Sequence, residues 1–227
     1  MDRGIVFDLD DTLIDRTQAV VNFASGFWTD FHAVIEVDQA GFVAEVLRLD
    51  ESGYAPRESF FGAIEDTFQL SSEETDRLQT SFYESAWRVP VVIPGTLESL
   101  VKLRDEGYRI GVVTNGRTET QTAKLEAAGF LPFIDVALIS ESFGAKKPDP
   151  TIFEAIIKQL NIEPNQSWFV GDHPRNDIWA SKQLGFNTAW LHRDKIWATD
   201  TAECFDVSAR DLKSVLQQIE GWKPTVA

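Results

Sequence analysis

Four short apolar runs in this sequence are each followed by residues that could do chemistry. Asp8-Leu9-Asp10-Asp11-Thr12 follows Ile5-Val6-Phe7, and Thr114-Asn115-Gly116 follows Arg109-Ile110-Gly111-Val112-Val113. Past Val136-Ala137-Leu138-Ile139 and Ser140 comes Lys146-Lys147-Pro148-Asp149-Pro150. Gly171-Asp172-His173-Pro174-Arg175-Asn176-Asp177 follows Ser167-Trp168-Phe169-Val170. Ligands of open α/β sheets bind at the carboxyl ends of the strands, so four runs ending this way point to one shared site. Asp8, Asp10, Asp172 and Asp177 would set four carboxylates against one lysine there. Carboxylates packed so closely are costly unless a cation joins them or some are protonated. A hard oxygen donor set without His or Cys selects Mg2+ over zinc. A Mg2+ site that keeps some waters and takes a substrate phosphate oxygen fits this inventory.

Such a site needs a sheet to hold it. The runs alternate with amphipathic stretches near 95–106, 118–128, 150–160 and 175–184. A fifth run, Thr188-Ala189-Trp190-Leu191, precedes a last helix over 208–220. This alternation predicts an α/β fold with a Rossmann-like parallel sheet. Gly107, Gly129 and Gly185 fall where helices should stop. The interval after the first run differs, with helical periodicity and no convincing strand. Val20, Phe23, Phe27 and Phe31, then Phe42, Val46 and Leu49, recur at three- or four-residue steps, the spacing of a packed helical stripe. Ser71-Ser72-Glu73-Glu74 opens another segment with an N-cap signature. The expected organisation is a core of residues 1–14 and 93–227 with an all-α insertion over 15–92, Pro90 and Pro94-Gly95 marking the return.

Charge and composition bound the function. The 227 residues are ordinary globular in composition and carry a formal charge of −15, which repels nucleic-acid backbones and argues against them as partners. That field also repels anionic small molecules, so an enzyme for one must concentrate positive charge locally. The single cysteine, Cys204, excludes an intrachain disulfide framework and a cysteine zinc site. No basic, then apolar, leader opens the chain, and no apolar run approaches the ~18–20 residues that span a bilayer. The expectation is a cytoplasmic protein, without membrane association or an evident obligate protein partner.

Taken together, these motifs resemble the haloacid dehalogenase (HAD) superfamily of phosphohydrolases, in order and spacing along the whole chain. The helical insertion is similar to the family's C1-type cap, as in its phosphoglycolate phosphatase-like and nucleotidase-like branch. The resemblance implies that Asp8 is the nucleophile and Asp10 the acid/base. It implies that Thr114 and Asn115 bind phosphate with Lys147, the latter placed directly before Pro148. It implies that Asp8, the Asp10 carbonyl and Asp172 hold Mg2+. Thr12 would steady the Asp8–Asp10 turn, and Asp177 would act in support, either in the outer shell of the metal or by orienting Lys147. The expected activity is Mg2+-dependent hydrolysis of a small phosphorylated metabolite through an aspartyl-phosphate.

Several readings compete at individual positions. Asp11, Asp149 and Asp177 are of the type that often only forms turns or caps. Lys146, His32 and His192 read as solvated or structural, and His173 as a loop-surface histidine. Dehalogenases of the superfamily lack the second aspartate, which is present here as Asp10. Phosphonate hydrolases use a cap lysine, and residues 15–93 contain none. A phosphomutase or phosphotransferase resembling β-phosphoglucomutase keeps both aspartates and is the alternative. A non-catalytic phospho-ligand-binding module would show degraded motifs. Arg16, Tyr54 and Arg57 are the candidates in the cap for contacts to the leaving group.

Overall fold

Each of the five apolar runs forms a strand. In the computed structural model, which describes residues 3–85, 87–193, 195–197 and 200–221, the strands are β1 (Gly4–Phe7), β2 (Arg109–Thr114), β3 (Val136–Ile139), β4 (Trp168–Gly171), β5 (Asn187–Leu191) and β6 (Val207–Ala209). They pair in the order β3-β2-β1-β4-β5-β6, every pair parallel. The helices are α1 (Arg16–Phe31), α2 (Gln39–Asp50), α3 (Arg57–Phe68), α4 (Ser72–Ser85) and α5 (Thr96–Asp105), then α6 (Thr118–Ala127), α7 (Ser140–Phe143), α8 (Pro150–Leu160), α9 (Ala180–Gln183) and α10 (Leu212–Gly221). Two compact units result, one of Met1–Ile14 with Val92–Ala227 and one of Asp15–Val91.

The sheet is buried on both faces, as parallel sheets are. Ile5 and Phe7 point to one side, into a core with Val112, Val170, Leu100 and Val215. Val6 points to the other, against Phe169, Phe153 and Ile156. The strand order reverses at β1, which lies between β2 and β4. Ligands bind outside the strand ends at such a switch point, and Asp8 directly follows β1.

Two expected helices change. The segment expected over 175–184 is a wide π-type turn, Pro174–Trp179, followed by the short α9. His173 caps that turn, its Nδ1 accepting from the Arg175 and Asn176 amides at 3.2 and 3.1 Å. The helix expected over 208–220 begins at Leu212, because residues 207–209 pair with β5 as the edge strand β6. That strand is three residues long and contains Ser208, so it leaves no apolar run in the sequence. No helix among the described residues is long and apolar enough to cross a membrane.

The Asp15–Val91 unit is all-α. Asp15 and Asp38 cap α1 and α2 by accepting from Gln18 N and Gly41 N, each at 2.8 Å. Ser71 and Glu74 form a reciprocal capping box before α4. The aromatic stripe is core, with Phe23, Phe27, Phe42, Phe60, Phe61 and Phe82 packed together. Asp50 is buried in this unit and takes a bidentate ion pair from Arg16 at 2.6 and 2.8 Å, with Arg57 at 3.0 Å. Burial alone would raise the Asp50 carboxyl, but the hydrogen bonds and charges of Arg16 and then Arg57 outweigh it and hold the group below the ordinary carboxylate value. A group so depressed stabilises fully above its ordinary range, and the contribution is lost as pH falls through the lowered value. Asp50→Ala would remove the carboxylate that pairs with buried Arg16, and urea unfolding should show a loss of about 3–5 kcal/mol. A loss below about 1 kcal/mol would mean that the pair is structurally idle.

Candidate active site

The strand ends bring together a buried acid cluster with a lysine at its centre. Asp8 leaves the end of β1, its amide donating to Val170 O on β4 at 2.9 Å. Lys147, only 3% exposed, places Nζ 2.6 Å from Asp8 Oδ1 and 2.6 Å from Asp177 Oδ1. Thr12 Oγ1 donates to Asp8 Oδ2 at 3.3 Å. Asp177 is carried inward by the turn after β4, and the His173 amide donates to its Oδ2 at 2.9 Å. Gly171 permits that approach, since a Cβ there would lie 2.5 Å from the Asp177 side chain. Asp177 thus stands in the cluster beside Lys147 while also accepting from the turn that carries it. Asp11 is a turn residue, with φ of 60° and its amide bonded to Ile14 O. Asp149 caps α8 through Thr151 N at 2.9 Å.

Asn115 and Thr114 come from the end of β2. The Asn115 side chain brackets the Lys147 backbone, accepting from its amide at 2.8 Å and donating to its carbonyl at 3.0 Å. This fixes the lysine across 32 residues of sequence. Thr114 is buried, and its Oγ1 accepts from Gln121 Nε2 at 2.5 Å. The same Gln121 nitrogen donates to Asp10 Oδ2 at 2.9 Å, and Lys124 Nζ sits 2.7 and 2.9 Å from the two Asp10 oxygens. Sequence reasoning missed Gln121 and Lys124. Their spacing of three, on the helix directly after Thr114-Asn115-Gly116, sets both on one face and is the signal that was there to read.

Asp8, Asp172 and Asp177 each offer a carboxylate oxygen, all within 4.8 Å of one another. Burial pushes the Asp8 carboxyl well above the ordinary value; Lys147 opposes this, while Asp177 and Asp172 add to it. Burial likewise pushes Asp172 up to about 7, against Lys195, whose Nζ lies 2.6 Å from its Oδ2. Burial would lower Lys147, yet Asp177 and Asp8 outweigh it and raise the ammonium above its ordinary value. A buried set of hard oxygens that resists ionisation without added positive charge fits a hard divalent cation. Arg16, Tyr54 and Arg57 lie in the other unit. Arg16 is committed to Asp50, which also holds Arg57, while Tyr54 is 54% exposed.

The model of the haloacid dehalogenase-like hydrolase family matches residues 5–191. Glyceraldehyde 3-phosphate phosphatase of Pyrococcus furiosus is 27% identical over 240 residues, covering 96% of this chain and 93% of its own length. (S)-2-haloacid dehalogenase 4A of Burkholderia cepacia is 28% identical over 198 residues, 80% of this chain and 85% of its own. In fold, the chain is similar to the crystal structure of the HAD hydrolase YfnB from Bacillus subtilis bound to magnesium. The TM-score is 0.76 at 20% identity, covering 96% of this chain and 99% of that one.

Cation binding at this cluster should release protons. A divalent cation requires Asp172 as carboxylate, so apparent affinity should fall as pH drops below about 7. Calorimetry with Mg2+ in buffers of different ionisation enthalpy measures the protons released. Affinity flat across that range, with no proton release, would contradict the electrostatics described.

Proposed function

The chain belongs to the haloacid dehalogenase-like hydrolase family, and from that premise we propose that it is a Mg2+-dependent phosphatase working through an aspartyl-phosphate on Asp8. The observation that carries this reading is Asp8 itself, buried at the head of the central strand with Lys147 on one oxygen and the Thr12 hydroxyl on the other. Asp10, two residues on, separates the reading from dehalogenation: a halide leaves without a proton, whereas an alkoxide needs one.

In the first step Asp8 attacks phosphorus, forming a carboxylate O–P bond as the bond to the leaving oxygen breaks, and Asp10 protonates that oxygen. In the second, Asp10 takes a proton from water, whose oxygen attacks phosphorus. Inorganic phosphate leaves and Asp8 is restored. Splitting one difficult displacement into two is the gain from a covalent intermediate. Lys147 offsets the repulsion between a carboxylate and a phosphate dianion. Asp177 and the Asn115 side chain keep the lysine there. Because Thr114 Oγ1 accepts from Gln121, its own hydrogen is left to donate to a phosphoryl oxygen, with the Asn115 amide beside it. Mg2+, held by Asp8, Asp172 and the Asp10 carbonyl, would supply further positive charge against the transferring group.

The substrate is a small phosphorylated metabolite. Similarity to glyceraldehyde 3-phosphate phosphatases puts short phosphorylated carbon chains first among the compounds to test. In this reading the Asp15–Val91 unit is the cap subdomain, with Tyr54 and Arg57 as its candidate residues for substrate choice.

Phosphate release from a panel of phosphorylated metabolites, with Mg2+ and with EDTA, tests the proposal. Mg2+-dependent release concentrated on one compound class is expected. Asp8→Asn should abolish it without unfolding the chain, and Asp10→Asn should lower kcat by about 10²–10⁴-fold. Silence across the panel, or turnover retained in Asp8→Asn, would overturn the assignment.

A further inference from the structure

Lys124 and Gln121 are 3% and 2% exposed, polar residues on a face of α6 that faces inward. An ammonium and an amide in such a place cost more than Met or Leu would, unless their partners repay desolvation. Here both side chains reach into the site. Lys124 Nζ meets both Asp10 oxygens, at 2.7 and 2.9 Å. Gln121 Nε2 donates to Asp10 Oδ2 at 2.9 Å, to Thr114 Oγ1 at 2.5 Å and to Asn115 O at 3.4 Å. Room for the glutamine depends on Gly116, where a Cβ would lie 2.9 Å from Gln121 Cγ. The glycine of Thr114-Asn115-Gly116 thus has a steric reason, namely entry of the side chain that links the two strand ends.

We propose that Lys124 and Gln121 are positioning residues that act through Asp10, holding its carboxyl in the one orientation from which it exchanges protons with the leaving oxygen and then with water. The proposal rests on the reading of Asp10 as acid/base. An aspartate side chain turning about its two torsions sweeps its oxygens over several ångströms, whereas proton transfer tolerates little misplacement. Three hydrogen bonds to two oxygens, from donors on one rigid helix, remove that freedom. Because the same glutamine bonds Thr114, the proton-transfer group and the phosphate-binding hydroxyl keep a fixed relation to each other. Neither side chain touches the substrate phosphate in this account; their effect is read entirely in the step that moves the proton.

The test compares two esters. p-Nitrophenyl phosphate has an acidic leaving group that needs little protonation, and an alkyl phosphate depends on it fully. For Lys124→Met and Gln121→Met, kcat on the alkyl ester should fall about 10–100-fold with KM within about threefold, and at least about tenfold more than on p-nitrophenyl phosphate. Lys124→Arg should recover part of the loss. In an Asp10→Asn background, adding Lys124→Met should cost nothing further. Thermal melts accompany each variant, and if Lys124→Met does not fold, Gln121→Met and Lys124→Arg carry the comparison. Equal losses on both esters, or a Lys124→Met loss that persists without the Asp10 carboxylate, would make these residues merely structural. If the wild type hydrolyses neither ester, the phosphatase reading fails; if it hydrolyses both and the variants lose them evenly, only the positioning role does.

Discussion

The ammonium of Lys147 stands between the carboxylates of Asp8 and Asp177, 2.6 Å from each, inside a protein whose formal charge is −15. Without it, buried acids would face one another at the end of the sheet, and low-dielectric surroundings make such unpaired charge expensive. Much else near the strand ends follows from keeping this ammonium in place. The Asn115 side chain brackets its backbone, the turn after β4 carries Asp177 to it, and Gly171 leaves the space for that approach. In the proposed reaction, the contact that makes the acid cluster tolerable is also the one that prepares Asp8 to meet a phosphate dianion. Stability and chemistry draw on the same charge.

The sheet supplies the convergence. With β1 between β2 and β4, the ends of three neighbouring parallel strands present Asp8, Thr114 and Asp172, and the loop beyond β3 brings Lys147 from farther along the chain. A second tier lies behind this one on α6, where Gln121 joins Thr114 to Asp10. The arrangement separates two tasks. In the proposed reaction Lys147 governs charge at Asp8, and the α6 pair governs the orientation of the residue two positions later. The helical unit solves its own problem by another ion-pair network, in which Asp50 gathers Arg16 and Arg57.

Most of the parallel sheet was legible because its strands are buried on both faces and read as short apolar runs. Asp8, Lys147 and Asp172 were legible because they follow such runs. What escaped has physical reasons. β6 is a three-residue edge strand with a serine at its centre, so no run announces it. The segment after β4 has helical composition, but His173 caps a wider turn there. Gln121 and Lys124 sit on a helix with little apolar contrast between its faces, so burial at those positions leaves no hydrophobic trace. The Asn115 side chain was overlooked because its partner is a backbone 32 residues away, and tertiary contacts of that range leave no local pattern. Arg16 was read as a ligand contact because an arginine past a catalytic motif suggests one. Its commitment to Asp50 depends on an acid that a helical sequence pattern would place in solvent.

The central claim is covalent: phosphoryl passes to Asp8 before it passes to water. The stereochemical course at phosphorus tests it most directly, using p-nitrophenyl phosphorothioate made chiral with two oxygen isotopes and hydrolysed in water carrying the third. Two successive in-line displacements invert twice, so thiophosphate should be released with net retention. Net inversion would mean a single direct attack by water, and would contradict Asp8 as nucleophile.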